Sequence, residues 1–199
     1  MMNNIKVVDN FLTKSYHKEL LDLLSSPDFP WFYNNNISKT NLDGGSPYEI
    51  GFSHIFFDSF KGGQRDTWYA HFVKPMLYQI MDSVGADYIL RGRADMTMAT
   101  PDNYEHSPHV DYSFKNISTV FYVNDSDGDT IFFDKEKPNN VASNEEDFDR
   151  SKLNIVNRVS PKANRLIIFD GHIAHTGCSP KNYKNRILIN SNYEKEGDR

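Results

Sequence analysis

Ser107-Pro108-His109-Val110-Asp111 is the stretch on which this sequence turns. In an extended segment residues i and i+2 point to the same side, about 6–7 Å apart along the chain. His109 and Asp111 can therefore converge on one ion from one strand end. Pro108 biases Ser107 toward extended geometry, which helps to deliver the pair. Far downstream, Asp170-Gly171-His172-Ile173-Ala174-His175-Thr176 offers two more imidazoles. Gly171 directly follows an apolar strand, which puts His172 on the turn. His175 falls on the return segment, where it can fold back over a cavity, so it is the favoured third ligand and His172 its competitor. The two histidines also suggest zinc, but no cysteine pair or His-Glu-x-x-His helix completes such a site. Two imidazoles with one carboxylate suit Fe(II) and leave three coordination positions open.

Outward from these ligands the second half of the chain reads as strand and turn. Strands are expected over Tyr88 to Ala99, Ile117 to Val123, Thr130 to Asp134, Leu153 to Val159, Arg165 to Asp170 and Arg186 to Tyr193. Asp127-Gly128 reads as a hairpin signal between two of them. The charged, Asn-rich residues 135 to 151 read as an exposed insertion. The first half is a helical lead-in, about residues 1 to 86, to a catalytic barrel of about 87 to 193. It holds a short strand over Ile5 to Val8, then a helix capped by Thr13 with Leu20, Leu21, Leu23 and Leu24 on its apolar side. Pro27 and Pro30 end that helix. Gly51 to Phe57 reads as a strand. Thr67 to Ser83 reads as a helix, with Phe72, Met76, Ile80 and Val84 at helical spacing. Pro75 predicts a kink or a late start there. Residues 34 to 47, rich in Asn, Gly, Ser and Asp, read as a mobile loop. Helices first, then roughly eight short strands including the two metal-ligand segments, give a mainly β, antiparallel double-sheet barrel with packed N-terminal helices.

Composition sets bounds on function. A chain of 199 residues fits one domain with a real core. No run approaches the 18 apolar residues of a membrane span. The polar start lacks a secretory segment, and the single cysteine, Cys178, fits a reducing, cytoplasmic setting. A net charge of −5 without a basic block argues against nucleic acid as a partner. Asp125, Asp127 and Asp129 imitate a calcium loop, but the Gly is misplaced and the closing Glu absent. His54 and His106 read as surface or pocket-rim histidines.

Arg186 opens Arg186-Ile187-Leu188-Ile189-Asn190-Ser191-Asn192-Tyr193. Alternation puts Arg186, Leu188, Asn190 and Asn192 on one face and Ile187, Ile189 and Tyr193 on the other. In a barrel interior that cation needs an anion, and guanidinium matches a carboxylate in a bidentate fork. A dicarboxylate cosubstrate would supply one.

With these pieces in place, residues from about Met96 to Tyr193 resemble the catalytic domain of Fe(II)/2-oxoglutarate-dependent dioxygenases. Among them they look most like the prolyl 4-hydroxylase-type group, especially small bacteriophage-encoded members. The resemblance is carried by His109-Val110-Asp111, Ser118 to Asn124, Gly128 to Phe132, Asn164 to Asp170 leading to His175, and Arg186 with its strand. Phe29-Pro30-Trp31-Phe32-Tyr33 adds a less diagnostic match. The turn Asp127-Gly128-Asp129-Thr130 departs from the family's Gly-Gly-x-Thr.

The resemblance implies a distorted double-stranded β-helix, or jelly roll, with Fe(II) on His109, Asp111 and His175. It implies 2-oxoglutarate and O2 as cosubstrates. Arg186 and Tyr122 would hold the distal carboxylate, with Ser118, where the family often has a Thr, and Asn190 in the same pocket. The implied reaction hydroxylates an unactivated C–H bond and releases succinate and CO2. Asp111 argues against a halogenase, which lacks that carboxylate. A peptidyl proline is the implied substrate, with small molecules and nucleobases as other candidates. Residues 34 to 47, the strand at 50 to 57 and Tyr104 to Ser107 would form a lid, with Trp31, Phe32 and Tyr33 as pocket or core aromatics. The competing class is a non-enzymatic metal-binding jelly-roll module or a phage structural protein. A zinc hydrolase ranks below both for want of a general base.

Overall fold

In the computed structural model, the residues described are 5–35, 37, 46–59, 65–136 and 149–198. The chain enters through β1 (Lys6–Asp9) and the helix α1 (Lys14–Ser25). The Thr13 side chain caps α1 by accepting from the Tyr16 amide, and Leu20 and Leu24 are its fully buried residues. β2 (Phe32–Asn34), β3 (Gly51–Asp58) and the two-residue β4 (Arg65–Asp66) follow. The expected second helix starts three residues late, as α2 (Ala70–Val84), with Pro75 inside. Its inward stripe is Val73, Met76, Leu77 and Ile80. Phe72 and Val84 of the expected stripe lie on its flanks, only partly buried.

Seven strands complete the fold: β5 (Tyr88–Met98), β6 (Ile117–Tyr122), β7 (Thr130–Glu136), β8 (Ile155–Val159), β9 (Arg165–Asp170), β10 (Ile173–Gly177) and β11 (Asn185–Glu194). A short 3-10 turn, Arg150–Lys152, precedes the expected 153–159 strand, which itself begins at Ile155. The strands form two antiparallel sheets. The major sheet runs β1-β9-β6-β11-β5-β3-β2, with β4 beside β3, and the minor one runs β10-β7-β8.

Both faces of the major sheet are buried, by different partners. Phe121, Val123, Leu166, Ile187 and Ile189 meet α1 and α2 on one face. Their neighbours in sequence, Val120, Tyr122, Ile167 and Leu188, turn the other way and pack with Phe132 and Val159 of the minor sheet. Strand alternation thus divides each apolar run between two cores. Asn164 fastens the lead-in to this body: its side chain accepts from the Leu12 amide and donates to the Leu12 carbonyl, both at 2.8 Å. Its φ of 63° is a left-handed geometry that Asn tolerates.

Three expectations need correction. Asp127-Gly128 is not a hairpin turn, because β6 and β7 belong to different sheets. Asp127 instead accepts from the backbone amides of Lys181 and Asn182, tying the crossing to a distant loop. The His109–Asp111 segment is not a strand. It touches the minor sheet through isolated bridges, Glu105 opposite Cys178 and His109 opposite His175. His54 is no surface residue. It is buried, bonded to the Pro30 carbonyl and Thr67, and packed among Phe29, Phe56 and Tyr69. The loop expected over 34 to 47 and the insertion over 135 to 151 lie largely outside the described residues. No helix among the described residues is long and apolar enough to cross a membrane.

The crossing from β6 to β7 depends on a close backbone approach. A Cβ at Gly128 would stand 2.3 Å from the Cys178 carbonyl oxygen, a fixed backbone atom. Gly128→Ala should therefore lower stability by about 1–3 kcal/mol, the usual cost of overpacking. Urea unfolding checks this, and an unchanged midpoint would disprove the close approach.

Candidate metal centre and anion pocket

The minor sheet builds half of the site. The segment from Tyr104 to His109 runs along β10 as an interrupted fourth strand. His106 N donates to Gly177 O, and His109 and His175 exchange amide–carbonyl bonds of 2.9 and 3.0 Å. This pairing sets the two imidazoles side by side, with ring centroids 4.8 Å apart. Each Nδ1 faces a backbone carbonyl, Ser107 O at 3.2 Å for His109 and Ile173 O at 2.9 Å for His175. A carbonyl only accepts, so the neutral form of each ring carries its proton on Nδ1. The Nε2 lone pairs are left for a ligand. Ligand atoms of His109, Asp111 and His175 lie within 4.8 Å of one another.

The major sheet supplies the other half. Asp111 Oδ1 accepts from Arg91 at 3.0 Å. Its Oδ2 accepts from Asn192 at 2.9 Å, Asn190 at 3.2 Å and Ser118 at 3.3 Å. Three of these partners form one row across the sheet, where Arg91 pairs with Asn192 and Asn192 with Ser118, and Asn190 stands on the next rung. Burial alone would push the Asp111 carboxyl up. The Arg91 guanidinium and the two imidazoles outweigh it and hold it well below the usual range. Burial, helped by neighbouring His175, lowers His109 to about 4. At neutral pH the site therefore presents a carboxylate and a neutral His109 imidazole, the protonation states a divalent cation requires.

Behind the ligands a narrow cavity of about 80 Å³ continues between the sheets, lined by Arg93, Asp95, Thr97, Thr130, Arg186 and Leu188 among others. Arg186 is 5 % exposed, and no described carboxylate forms an ion pair with it. Its Nη2 donates to Thr130 Oγ1 at 2.7 Å, while its Nε is buried without a partner. Thr97, directly across from Arg186 on β5, likewise has a buried, unpartnered hydroxyl. A Cβ on Gly177 would come within 3.0 Å of Arg186 Nη1. Glycine there lets the guanidinium lie against β10 two residues beyond His175, about 6–7 Å along the strand. A buried cation with an orphaned N–H beside an orphaned hydroxyl is costly in a closed protein and fits an anionic guest. The donor set thus suits both a divalent metal and a carboxylate reaching away from it. A larger cleft of about 760 Å³, lined by Lys74, Tyr78, Tyr88 and Glu194, contains none of these residues.

The structure brings His109, Asp111, His175, Asn190 and Arg186 to one cavity. His172 stays on the β9–β10 turn beside Asp170, outside the cluster. Ser118 sits under Asp111 rather than near Arg186. Tyr122, expected on a cosubstrate carboxylate, places its hydroxyl 2.6 Å from Thr130 Oγ1 and 3.1 Å from the Val159 carbonyl. Its one proton is spent there, and its ring lies 5.4 Å beneath Arg186. His106 lines the cavity as a rim residue would, but it is buried and bonded to Glu49 and Ser179.

Sequence reading missed Arg91, Thr97, Thr130 and Glu49, and it placed Asn192 on the right face without giving it a role. Glu49 fixes Tyr104, His106 and the Ser107 amide ahead of the ligand pair. One signal was available: Arg91, Arg93 and Asp95 alternate along β5 with Leu90, Gly92 and Ala94, a charged face on a long strand.

A sequence model of the 2OG-Fe(II) oxygenase superfamily matches residues 96–194. No curated protein matches the sequence. Among solved structures, a 2OG-Fe(II) oxygenase family oxidoreductase from Burkholderia pseudomallei superposes with a TM-score of 0.65 at 10% identity, covering 96% of this chain and 84% of that one. A Trichoplax adhaerens prolyl hydroxylase, solved with a hypoxia inducible factor peptide, gives 0.62 at 14% identity, covering 100% and 86%. HygX from Streptomyces hygroscopicus, solved with nickel and 2-oxoglutarate, gives 0.58 at 10% identity, covering 98% and 84%. At such identities these likenesses establish the fold. The matched segment holds all three clustered ligands and Arg186, and through residues 96–194 the chain belongs to the 2OG-Fe(II) oxygenase superfamily, with Fe(II) as its metal and 2-oxoglutarate and O2 as its cosubstrates.

Proposed function

We propose that the chain hydroxylates an unactivated C–H bond of a peptide or small-molecule substrate, a prolyl unit being the first to test. One observation carries this reading: a buried guanidinium without a protein carboxylate, in a cavity that opens on two imidazoles and a carboxylate. His109, Asp111 and His175 would hold Fe(II). Bound there, the metal supplies the site at which 2-oxoglutarate and O2 react, giving succinate and CO2 and placing the second oxygen atom in the substrate as hydroxyl.

The protein's own share is binding, orientation and exclusion of water. The Ser107 and Ile173 carbonyls fix both imidazole tautomers. The four donors on Asp111 hold its carboxylate ionised and aimed. Arg186 and Thr97 would receive the distal carboxylate of 2-oxoglutarate, and Tyr122 would act indirectly by supporting Arg186 and Thr130. Leu188 and Val120 give the cavity an apolar wall, which strengthens each ionic contact by keeping water out. The fold shared with a prolyl hydroxylase makes a prolyl substrate a reasonable first candidate, but fold does not choose the substrate.

Three outcomes are expected. Ala at His109, Asp111 or His175 should abolish tight Fe(II) binding, while His172→Ala should leave it within about twofold. Anaerobic metal titration reads both, and loss of binding in His172→Ala alone would overturn the ligand assignment. Arg186→Ala should weaken 2-oxoglutarate binding by about 3–5 kcal/mol, over a hundredfold, with metal affinity kept. Tyr122→Phe, which keeps the ring and loses one hydroxyl, should cost only about 0.5–1.5 kcal/mol. An equal loss in both variants would put the phenol on the cosubstrate. Finally, incubation with prolyl peptides, 2-oxoglutarate and Fe(II) should add one oxygen atom to substrate, read by mass. Succinate formation stimulated by none of the peptides would remove peptidyl proline from consideration.

A further inference from the structure

The three arginines of the site are employed differently. Arg91 spends one terminal nitrogen on Asp111, Asn190 and Asn192, with bonds of 3.0–3.1 Å. Arg186 faces the end of the cavity assigned above to 2-oxoglutarate. Arg93 stands between them in register: it lies directly across from Asn190, one of the donors to Asp111. It is tied to Asp95 through Nε alone, at 2.8 Å to Oδ1 and 3.0 Å to Oδ2. Among the described residues nothing accepts from its Nη1 or Nη2.

Arg93 and Asp95 both line the metal cavity, with side chains 21% and 17% exposed, so the guanidinium can be reached from it. The geometry is that of a forked cation clamped by its stem. Asp95 holds the guanidinium through Nε, and the side chain lines the same cavity as the metal ligands. A fork of this kind pairs with a planar anion such as a carboxylate.

We propose that Arg93 anchors an anion subsite beside the metal, so that the preferred substrate carries a free carboxylate near the carbon to be hydroxylated. The substrate class is then a small carboxylic acid, an N-acyl amino acid or a chain-terminal residue, in place of a residue within a peptide. This rests on the reading that Fe(II) and 2-oxoglutarate occupy the same cavity.

The test uses the full chain with Fe(II) and 2-oxoglutarate, without oxygen, and calorimetric titration as readout. The probes are N-acetylglycine and N-acetyl-L-proline, each against its primary amide. The acids should bind at least tenfold more tightly than the amides. Arg93→Met should bring an acid to the level of its amide, while 2-oxoglutarate affinity stays within about twofold. Because Arg93→Met strands Asp95, the double variant Arg93→Met/Asp95→Asn is titrated beside it, and the acid preference should be lost in both. Equal binding of acids and amides to the unaltered protein, or binding of neither, overturns the subsite. Equal loss of 2-oxoglutarate and acid in both variants assigns Arg93 to the cosubstrate and also overturns it. Failure of 2-oxoglutarate to bind the unaltered iron protein is a different result, which removes the functional reading beneath it.

Discussion

Everything in this site follows from the cost of burying guanidinium groups. An arginine cannot lose its proton at any accessible pH, so one placed between two apolar sheets must find an anion. Arg91 finds Asp111 and Arg93 finds Asp95. Arg186 finds a threonine hydroxyl and an aromatic face, neither of which carries charge. The first pairing keeps the only carboxylate of the metal cluster ionised. The last is an incomplete pairing, and it marks where an external anion belongs. Stability and function are therefore coupled here: the contacts that make buried charge tolerable also define the metal and anion positions.

The regular step of the major sheet lays these charges out. On β11 the side chains of Arg186, Leu188, Asn190 and Asn192 share a face. β5 sets Thr97, Asp95, Arg93 and Arg91 beside them in the same order, each rung directly across from its partner. Successive rungs are about 7 Å apart. One end carries the cradle of Asp111 and the other the unpaired Arg186. The opposite faces of the same strands are Ile187, Ile189 and Ala94, packed on the helices. A one-residue slip of β11 would exchange these sets, burying asparagines against α2 and turning isoleucines toward the metal. The helical lead-in thereby fixes the register on which the chemistry depends.

Most of the ligand set could be read from the chain because it relies on short-range geometry. His109 and Asp111 lie at i and i+2, and Gly171 separates a turn histidine from a strand histidine. Alternation along Arg186 to Asn192 gave the polar face that the sheet uses. The strand and helix positions followed from the same periodicities, with shifts of a few residues at the ends, because burial periodicity is a local property of sequence.

What local pattern could not carry was which elements meet. Asp127-Gly128 has hairpin chemistry, yet its flanking strands join different sheets, because sheet membership is set by long-range packing. His54 has the composition of a rim residue and is buried only because Phe29, Phe56 and Tyr69 come from three separate segments. Arg91 gains its meaning from Asp111, twenty positions away, and Thr97 from Arg186 on another strand. Tyr122 lay on the expected face, but only the approach of β7 and β8 decided that its proton goes to Thr130 and Val159. Sequence alone determined which donors exist and which face they share, since these depend on residue spacing. Tertiary structure decided which of them neutralise one another and which cation is left for a guest, since that depends on distances between segments the chain brings together only by folding.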